Sequence, residues 1–488
     1  MKTKFLLSLI VIYISHLFNV ANIAIAQQIN LPDIGDSGAA LVTLEEEERT
    51  GEAVLRNIRR AGGLIEDPIL VDYINRLGHK LVAASVDKKT SFHFFIIDDS
   101  SINAFALPGG YIGVHYGLFL AMRNESELAA VLAHEIAHVT QRHHVRSYAS
   151  SQYSNTQILA AVIAAIILGG SNPEVGEAAI ATAIAGTTQN QINFTRSNEM
   201  ESDRIGISLL TDAGFNPQSM ADTFQILADS ARLYGPQIPE FLLTHPVSST
   251  RLADARNRAG DIQQIKRQAP ELQYHLARSK LRVYTSSNLN DTLKAFQQNL
   301  KTGSYLNHKA EMYGYALILI KKENFTQATK IVDLLYKSNP NSIAFKLIQA
   351  QLKFKSGKPK MALAQLQKAL EIYPLNPILT EYYVELLLKS KQAKRAKAIL
   401  QTFLRSPAPN PRFYKLLSAV ENSLNNTVGA HEALAQFYYD MGLTHSAIEQ
   451  INIALKDKKI DFYTSSRLES RLKQLEQERL QLEQAASH

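Results

Sequence analysis

The chain has 488 residues, 45% of them hydrophobic and 20% charged, with a net charge of +7 and no cysteine. That length exceeds one ordinary core and points to at least two domains, and the absent thiols exclude disulfides, thiolate metal ligands and lipid attachment at a lipobox cysteine. Charge is uneven, about +10 over residues 306–488 against about −5 over 27–305, which supports a two-part chain; the basic half reads first as solvated helix faces, and otherwise as a surface for acidic partners or an anionic membrane.

At the start, Lys2 and Lys4 precede an apolar run over 5–14, and Ala24-Ile25-Ala26 offers small residues before Gln27. The pattern predicts a secretory signal over 1–26, cleaved after Ala26. An uncleaved anchor is the competing reading, disfavoured by Ser15, His16 and Asn19. A soluble exported protein of a bacterial periplasm follows. Further on, residues 92–97 (FHFFII) and the tract Ala104-Phe105-Ala106 read as neighbouring strands, the second turning at Pro108-Gly109-Gly110. His93 and His115 carry no supporting pattern and read as structural.

Residues 126–141 (SELAAVLAHEIAHVTQ) contain good helix formers and no Gly or Pro, with Asn124 as N-cap and acids in the first turn. Within this helix His134 and His138 are four apart and share a face, so both imidazoles can hold one ion while Glu135 reaches a water on it. Alone, so short a motif also arises by chance. A catalytic site needs a third protein ligand. His144 would supply it in the pattern HExxHxxGxxH, but Gln141 stands where glycine is required, so His143 and His144 read as a polar helix end. The other route is a carboxylate on a later helix. Glu199 and Asp203 lie one turn apart, Glu199 able to ligate and Asp203 able to orient a ligand histidine or hydrogen-bond the reacting centre. Glu201 points roughly 200° away from Glu199 and is expected to face elsewhere. In isolation this stretch reads as a surface helix. Between the motifs, the apolar segment 158–168 covers roughly 16 Å as a helix, too short to span a bilayer; with 178–185 it is expected to form a helical hairpin.

Several tracts, in order, resemble the HtpX/Ste24-like zinc metallopeptidases, most closely their periplasmic members. They are Leu31-Pro32-Asp33-Ile34-Gly35, Asn103 through Gly110, His134 through His138, Thr195-Arg196 through Glu199 and Asp203, and Thr244-His245-Pro246 with Arg251. Thr195 and Ser202 replace the family's serine and alanine. The resemblance implies a gluzincin-like domain with a small β-sheet. It also implies one Zn²⁺ per chain on His134, His138 and Glu199, with Glu135 catalytic, Asp203 assisting and Arg251 supporting the ligands. His245, by itself an ordinary loop histidine before proline, becomes a fourth ligand that blocks the resting site. Ala104, Phe105 and Ala106 become the strand against which an extended substrate pairs.

Residues 309–410 repeat with a period of 34. Ala328, Ala362 and Ala396 recur at that spacing, as do Ala316, Ala350 and Val384, and Pro340 and Pro374. This is the tetratricopeptide pattern of stacked helical pairs. The register is expected to slip after Pro407-Ala408-Pro409, leaving 430–441 and 447–455 as an irregular last pair and 466–483 as a cap. The expected organisation is mainly α: signal 1–26, metallopeptidase domain 27–265, helical connector 266–305 and an α-solenoid over 306–488. Lacking a proline-glycine linker, the halves are expected to pack together. No nucleic-acid partner and no transmembrane helix in the mature chain are expected. The family likeness implies a latent periplasmic zinc endopeptidase that degrades misassembled outer-membrane proteins, assists their assembly and meets the insertion machinery through its repeats. The alternative is a chaperone or scaffold acting through the repeats with little proteolysis.

Overall fold

A computed structural model describes residues 42–150, 189–233, 239–262, 272–405 and 411–486. The expected signal, the 31–35 tract, the hairpin at 158–185 and the prolines at 407 and 409 lie outside the described residues. Two helices open the described chain, α1 (Leu44–Arg60) and α2 (Pro68–Ala84). Thr43 and Glu46 form a capping box on α1, and Asp67 caps α2 ahead of Pro68, both sequence-encoded starts. A three-stranded sheet follows, from β1 (His93–Ile97), β2 (Ala104–Leu107) and β3 (Tyr111–His115).

The expected β1–β2 neighbours are not paired. The order is β1-β3-β2, with β3 parallel to β1 and antiparallel to β2. The cause is the turn at Pro108–Gly110, where Gly109 and Gly110 have φ of 74° and 85°, a region open to glycine. It reverses the chain so tightly that β3 returns along β2 and presents its other edge to β1. Ala104 to Ala106 therefore lie on an edge strand.

Beneath the sheet run α3 (Tyr116–Ala121) and α4 (Glu125–Thr140), the latter buried from Leu128 to Val139. A helix apolar on all sides needs neighbours all round. These are α2, β2, α6 (Gln189–Asp212) and α7 (Ser219–Leu233). The short α5 (His143–Ser150) lies between α4 and α6, and α8 (Glu240–Thr244) and α9 (Ser249–Asp261) close the unit.

Two helices of the expected connector, α10 (Leu272–Tyr284) and α11 (Leu289–Thr302), lead into the repeats. These are α12 (His308–Lys321) with α13 (Phe325–Ser338), α14 (Ile343–Lys355) with α15 (Pro359–Ile372), and α16 (Pro377–Lys389) with α17 (Ala393–Phe403). The series continues with α18 (Pro411–Ser423), α19 (Thr427–Asp440), α20 (Thr444–Leu455) and α21 (Phe462–Ala486). The residues of two of these sets, Ala316, Ala350 and Val384 and Ala328, Ala362 and Ala396, are fully buried where facing helices approach, while Pro340 and Pro374 are exposed. The expected slip after residue 409 does not occur. Left-handed turn residues recur at Glu323, Gly357, Lys391 and Asn425, and Pro411 opens α18 34 residues after Pro377 opens α16. α18 therefore pairs with α19 and α20 with α21; the expected α19–α20 unit straddles two repeats. The sequence hid this because its prolines flank position 408, where the repeat places one.

α10 belongs to both cores. Tyr274, Ala277 and Leu281 sit in the peptidase core, Leu276 and Val283 in the repeat core. Lys280 reaches Asp67 at 3.0 Å, and Arg412 bonds the Glu66 carbonyl and Glu381. One helix contributing to two cores couples their unfolding. Leu276→Ala and Leu281→Ala are each expected to cost ~2–5 kcal/mol and to lower a single shared melting transition, read by calorimetry. Two transitions, only one of them shifted by each variant, would contradict this.

Candidate metal centre

α4 and α6 cross where Gly206 faces α4; a Cβ there would lie 2.8 Å from Met220 Cε and 3.3 Å from the His134 backbone nitrogen. That close approach brings two distant motifs together. His134 Nε2 lies 3.0 Å from His138 Nε2 and 3.4 Å from Glu199 Oε2, and His138 Nε2 lies 3.3 Å from Glu199 Oε1. His245 Nδ1 joins them, 3.3 Å from His134 Nε2 and 2.9 Å from Glu199 Oε1. Each of the four residues offers one ligand atom, and all four atoms fall within 4.8 Å of one another. Bonds of ~2.0–2.1 Å in a tetrahedron give donor separations of roughly 3.3 Å, which these distances resemble.

Glu135, Glu199, Asp203 and Arg251 are all at least 95% buried, leaving three carboxyl groups against one guanidinium. Buried negative charge is costly without compensation; a bound cation, or a proton on His134, which Asp203 and Glu199 hold above its ordinary range against the effect of burial, would supply it. Burial raises the Glu135 carboxyl above its usual range, partly offset by His245 and His134. Burial also acts to raise Glu199, but the three histidines around it prevail and hold it well below. His138 is pushed well below its ordinary value by burial, which keeps the imidazole neutral as a ligand must be.

The expected supporting residues are also in place. Asp203 Oδ1 lies 3.0 Å from His134 Nδ1, the nitrogen turned away from the cluster. Arg251 grips both Asp203 oxygens at 2.7 Å, reaches Glu199 at 2.9 Å and donates to the Pro246 carbonyl at 2.7 Å. It thus ties two carboxylates to the loop carrying His245. On the other side α4 packs against β2, where the Ala106 backbone acts to lower the Glu135 carboxyl against the larger effect of burial.

His143, expected at a polar helix end, and Glu201, expected to face elsewhere, back the second histidine. α4 stops at Thr140, and Arg142, with φ 49°, turns the chain so that His143 packs under His138. The two Nδ1 atoms are 3.1 Å apart, and His143 Nε2 lies 3.1 Å from Glu201 Oε2. The tautomers follow: His138 Nδ1–H donates to His143 Nδ1, and His143 Nε2–H donates to Glu201. Ser202 Oγ stands 3.3 Å from the same His143 Nδ1. Glu201 does point away from Glu199 on α6, but α5 fills the space it points into. His144 is not among the four cluster residues.

Residues 69–259 match peptidase family M48, and 353–420 match a tetratricopeptide repeat. The chain is 34% identical to the beta-barrel assembly-enhancing protease of Escherichia coli, covering 92% of this chain and 91% of that one. It is 37% identical to a putative beta-barrel assembly-enhancing protease of Vibrio cholerae, over 93% and 94% respectively. The Yersinia pestis beta-barrel assembly-enhancing protease is 35% identical over 80% of this chain and 79% of its own.

Loss of a hydrogen-bonded support behind a ligand histidine commonly costs ~10–100-fold in metal affinity. His143→Ala is expected to weaken metal binding by about tenfold in a chelator competition, with His143→Gln recovering part of it. Unchanged affinity in His143→Ala would show that His138 needs no such support.

Proposed function

Because this chain belongs to the beta-barrel assembly-enhancing proteases, metallopeptidases of family M48, we propose that it is a zinc endopeptidase of the bacterial periplasm, exported by a signal over residues 1–26 and held latent by its own His245. The convergence of His134, His138 and Glu199 on one point, beside the buried Glu135 carboxyl, carries the reading. In it, those three residues hold zinc, His134 kept in place by Asp203, which hydrogen-bonds its far nitrogen. Zinc there would polarise a peptide carbonyl and lower the pKa of water toward ~7.

Glu135 is the general base. It takes a proton from the attacking water and returns it to the departing amine, with no covalent intermediate. An extended substrate pairs with Ala104, Phe105 and Ala106 as an added strand, which gives backbone affinity with little side-chain selectivity. The packing of α4 against β2 supports this by setting Glu135 beside the edge strand. Latency is supported by the position of His245, whose Nδ1 stands where water or substrate would enter. The Phe241 N–H also bonds the Ile102 carbonyl, laying α8 beside the start of β2.

The relatives' printed name supports misassembled outer-membrane proteins as substrates and β-barrel assembly as the setting, with the repeats meeting the insertion machinery. Among the described residues no helix is long and apolar enough to cross a membrane.

Elemental analysis is expected to find one zinc per chain and a marked loss in Glu199→Ala; equal content in both would remove Glu199 from the ligand set. Glu135→Gln should keep its zinc and lose cleavage of an unfolded substrate by at least about a hundredfold. If that variant still performs the full cellular task, the chaperone reading replaces the protease. His245→Ala should cleave faster than the parent, and slower cleavage would mean that His245 takes part in turnover.

A further inference from the structure

The first helices of three successive repeats, α12, α14 and α16, all end in lysine, at Lys321, Lys355 and Lys389. These three line one groove of about 340 Å³ with Tyr284, Phe354 and Tyr382. Two acids face the same space. Asp67 is paired with Lys280 at its margin, and Glu385 is left to balance three exposed lysines. Lys321 Nζ rests 3.2 Å from the Val283 carbonyl, and Lys355 and Lys389 form no ion pair among the described residues.

The negative end of each helix dipole accounts for a lysine at each C-terminus. It does not account for their convergence with aromatic rings on a groove short of acids. Burial and Lys280, with a smaller contribution from Lys355, hold the Lys321 ammonium below its usual range against the pull of Asp67. Unrelieved cation crowding of this kind is eased by an anionic ligand.

We propose that this groove binds an extended acidic peptide, one carboxylate per lysine, with apolar side chains between them against the aromatic rings. Successive first helices pack against each other, so the lysines stand roughly 10 Å apart. A chain in the extended polyproline II conformation advances ~3.1 Å per residue with three residues per turn, which places acids three residues apart on the one face turned to the lysines. The inference deepens the reading in which the repeats recruit protein partners, and gives that partner a charge pattern.

The test uses the full chain carrying Glu135→Gln, so that peptide survives, and fluorescence anisotropy with three labelled nonapeptides of Ser, Leu and Glu. One has glutamates at positions 2, 5 and 8, one has them contiguous, and one has lysines instead. The spaced acidic peptide is expected to bind at least about tenfold tighter than either other, and to weaken as salt is raised. Lys355→Glu should remove about tenfold, and Lys321→Gln with Lys355→Gln and Lys389→Gln should abolish the preference. Equal binding of the three peptides, or an unchanged preference in the triple variant, overturns the proposal. So does lysine-dependent binding to phosphatidylglycerol vesicles without peptide binding. Lys355→Glu in the otherwise native chain should cleave an uncharged peptide at the parent rate, so that loss of docking is distinguished from failure of the protease reading.

Discussion

Three carboxylates and one guanidinium buried in a space also holding three imidazoles form an arrangement that folding tolerates only with strong compensation. Arg251 supplies part of it, through Asp203, Glu199 and the Pro246 carbonyl together. The imidazoles, or a cation held between them, would supply the rest. The same guanidinium therefore governs ligand charge, the orientation of His134 and the position of the loop bearing His245. The loop bearing His245 is thus anchored to the same contact set that holds Glu199 and Asp203.

The site is further fixed by a close helix crossing. Gly206 lets α6 approach α4, and each ligand histidine is backed from outside the cluster. His134 is backed directly by Asp203, and His138 through His143 to Glu201. Such paired supports restrict imidazole rotation, so the donors stay arranged for the cation. Away from the site, α10 lends one face to the peptidase core and another to the repeat core. The repeats are thus held as a fixed rim against α2, and the lysine-lined groove has a defined position beside the peptidase unit.

Local periodicity made much of this legible. His134 and His138 needed only helical pitch to share a face, and Glu199 and Asp203 likewise; their meeting was implied by family likeness and by the need for a third ligand. Other features depended on partners distant in sequence. Glu201 was assigned outward because only its own helix was considered, whereas the turn at Arg142 brings His143 to it. The β1-β3-β2 order escaped because two adjacent strand signals read most simply as a pair, and the third strand lay beyond a glycine turn. The repeat register past residue 409 was obscured where prolines flank the repeat position instead of occupying it. Asn425, in the left-handed conformation like Glu323 and Lys391, marks its continuation, but Glu323 and Lys391 are residue types that give no turn signal, so the spacing does not show in the sequence.

Anomalous diffraction at the zinc edge from crystals of the purified full chain tests the central claim most directly. The account predicts one strong peak about 2 Å from Nε2 of His134, Nε2 of His138 and a Glu199 carboxyl oxygen. A peak held by His143 or His144 in place of Glu199, or no peak from protein shown to carry stoichiometric metal, would contradict it.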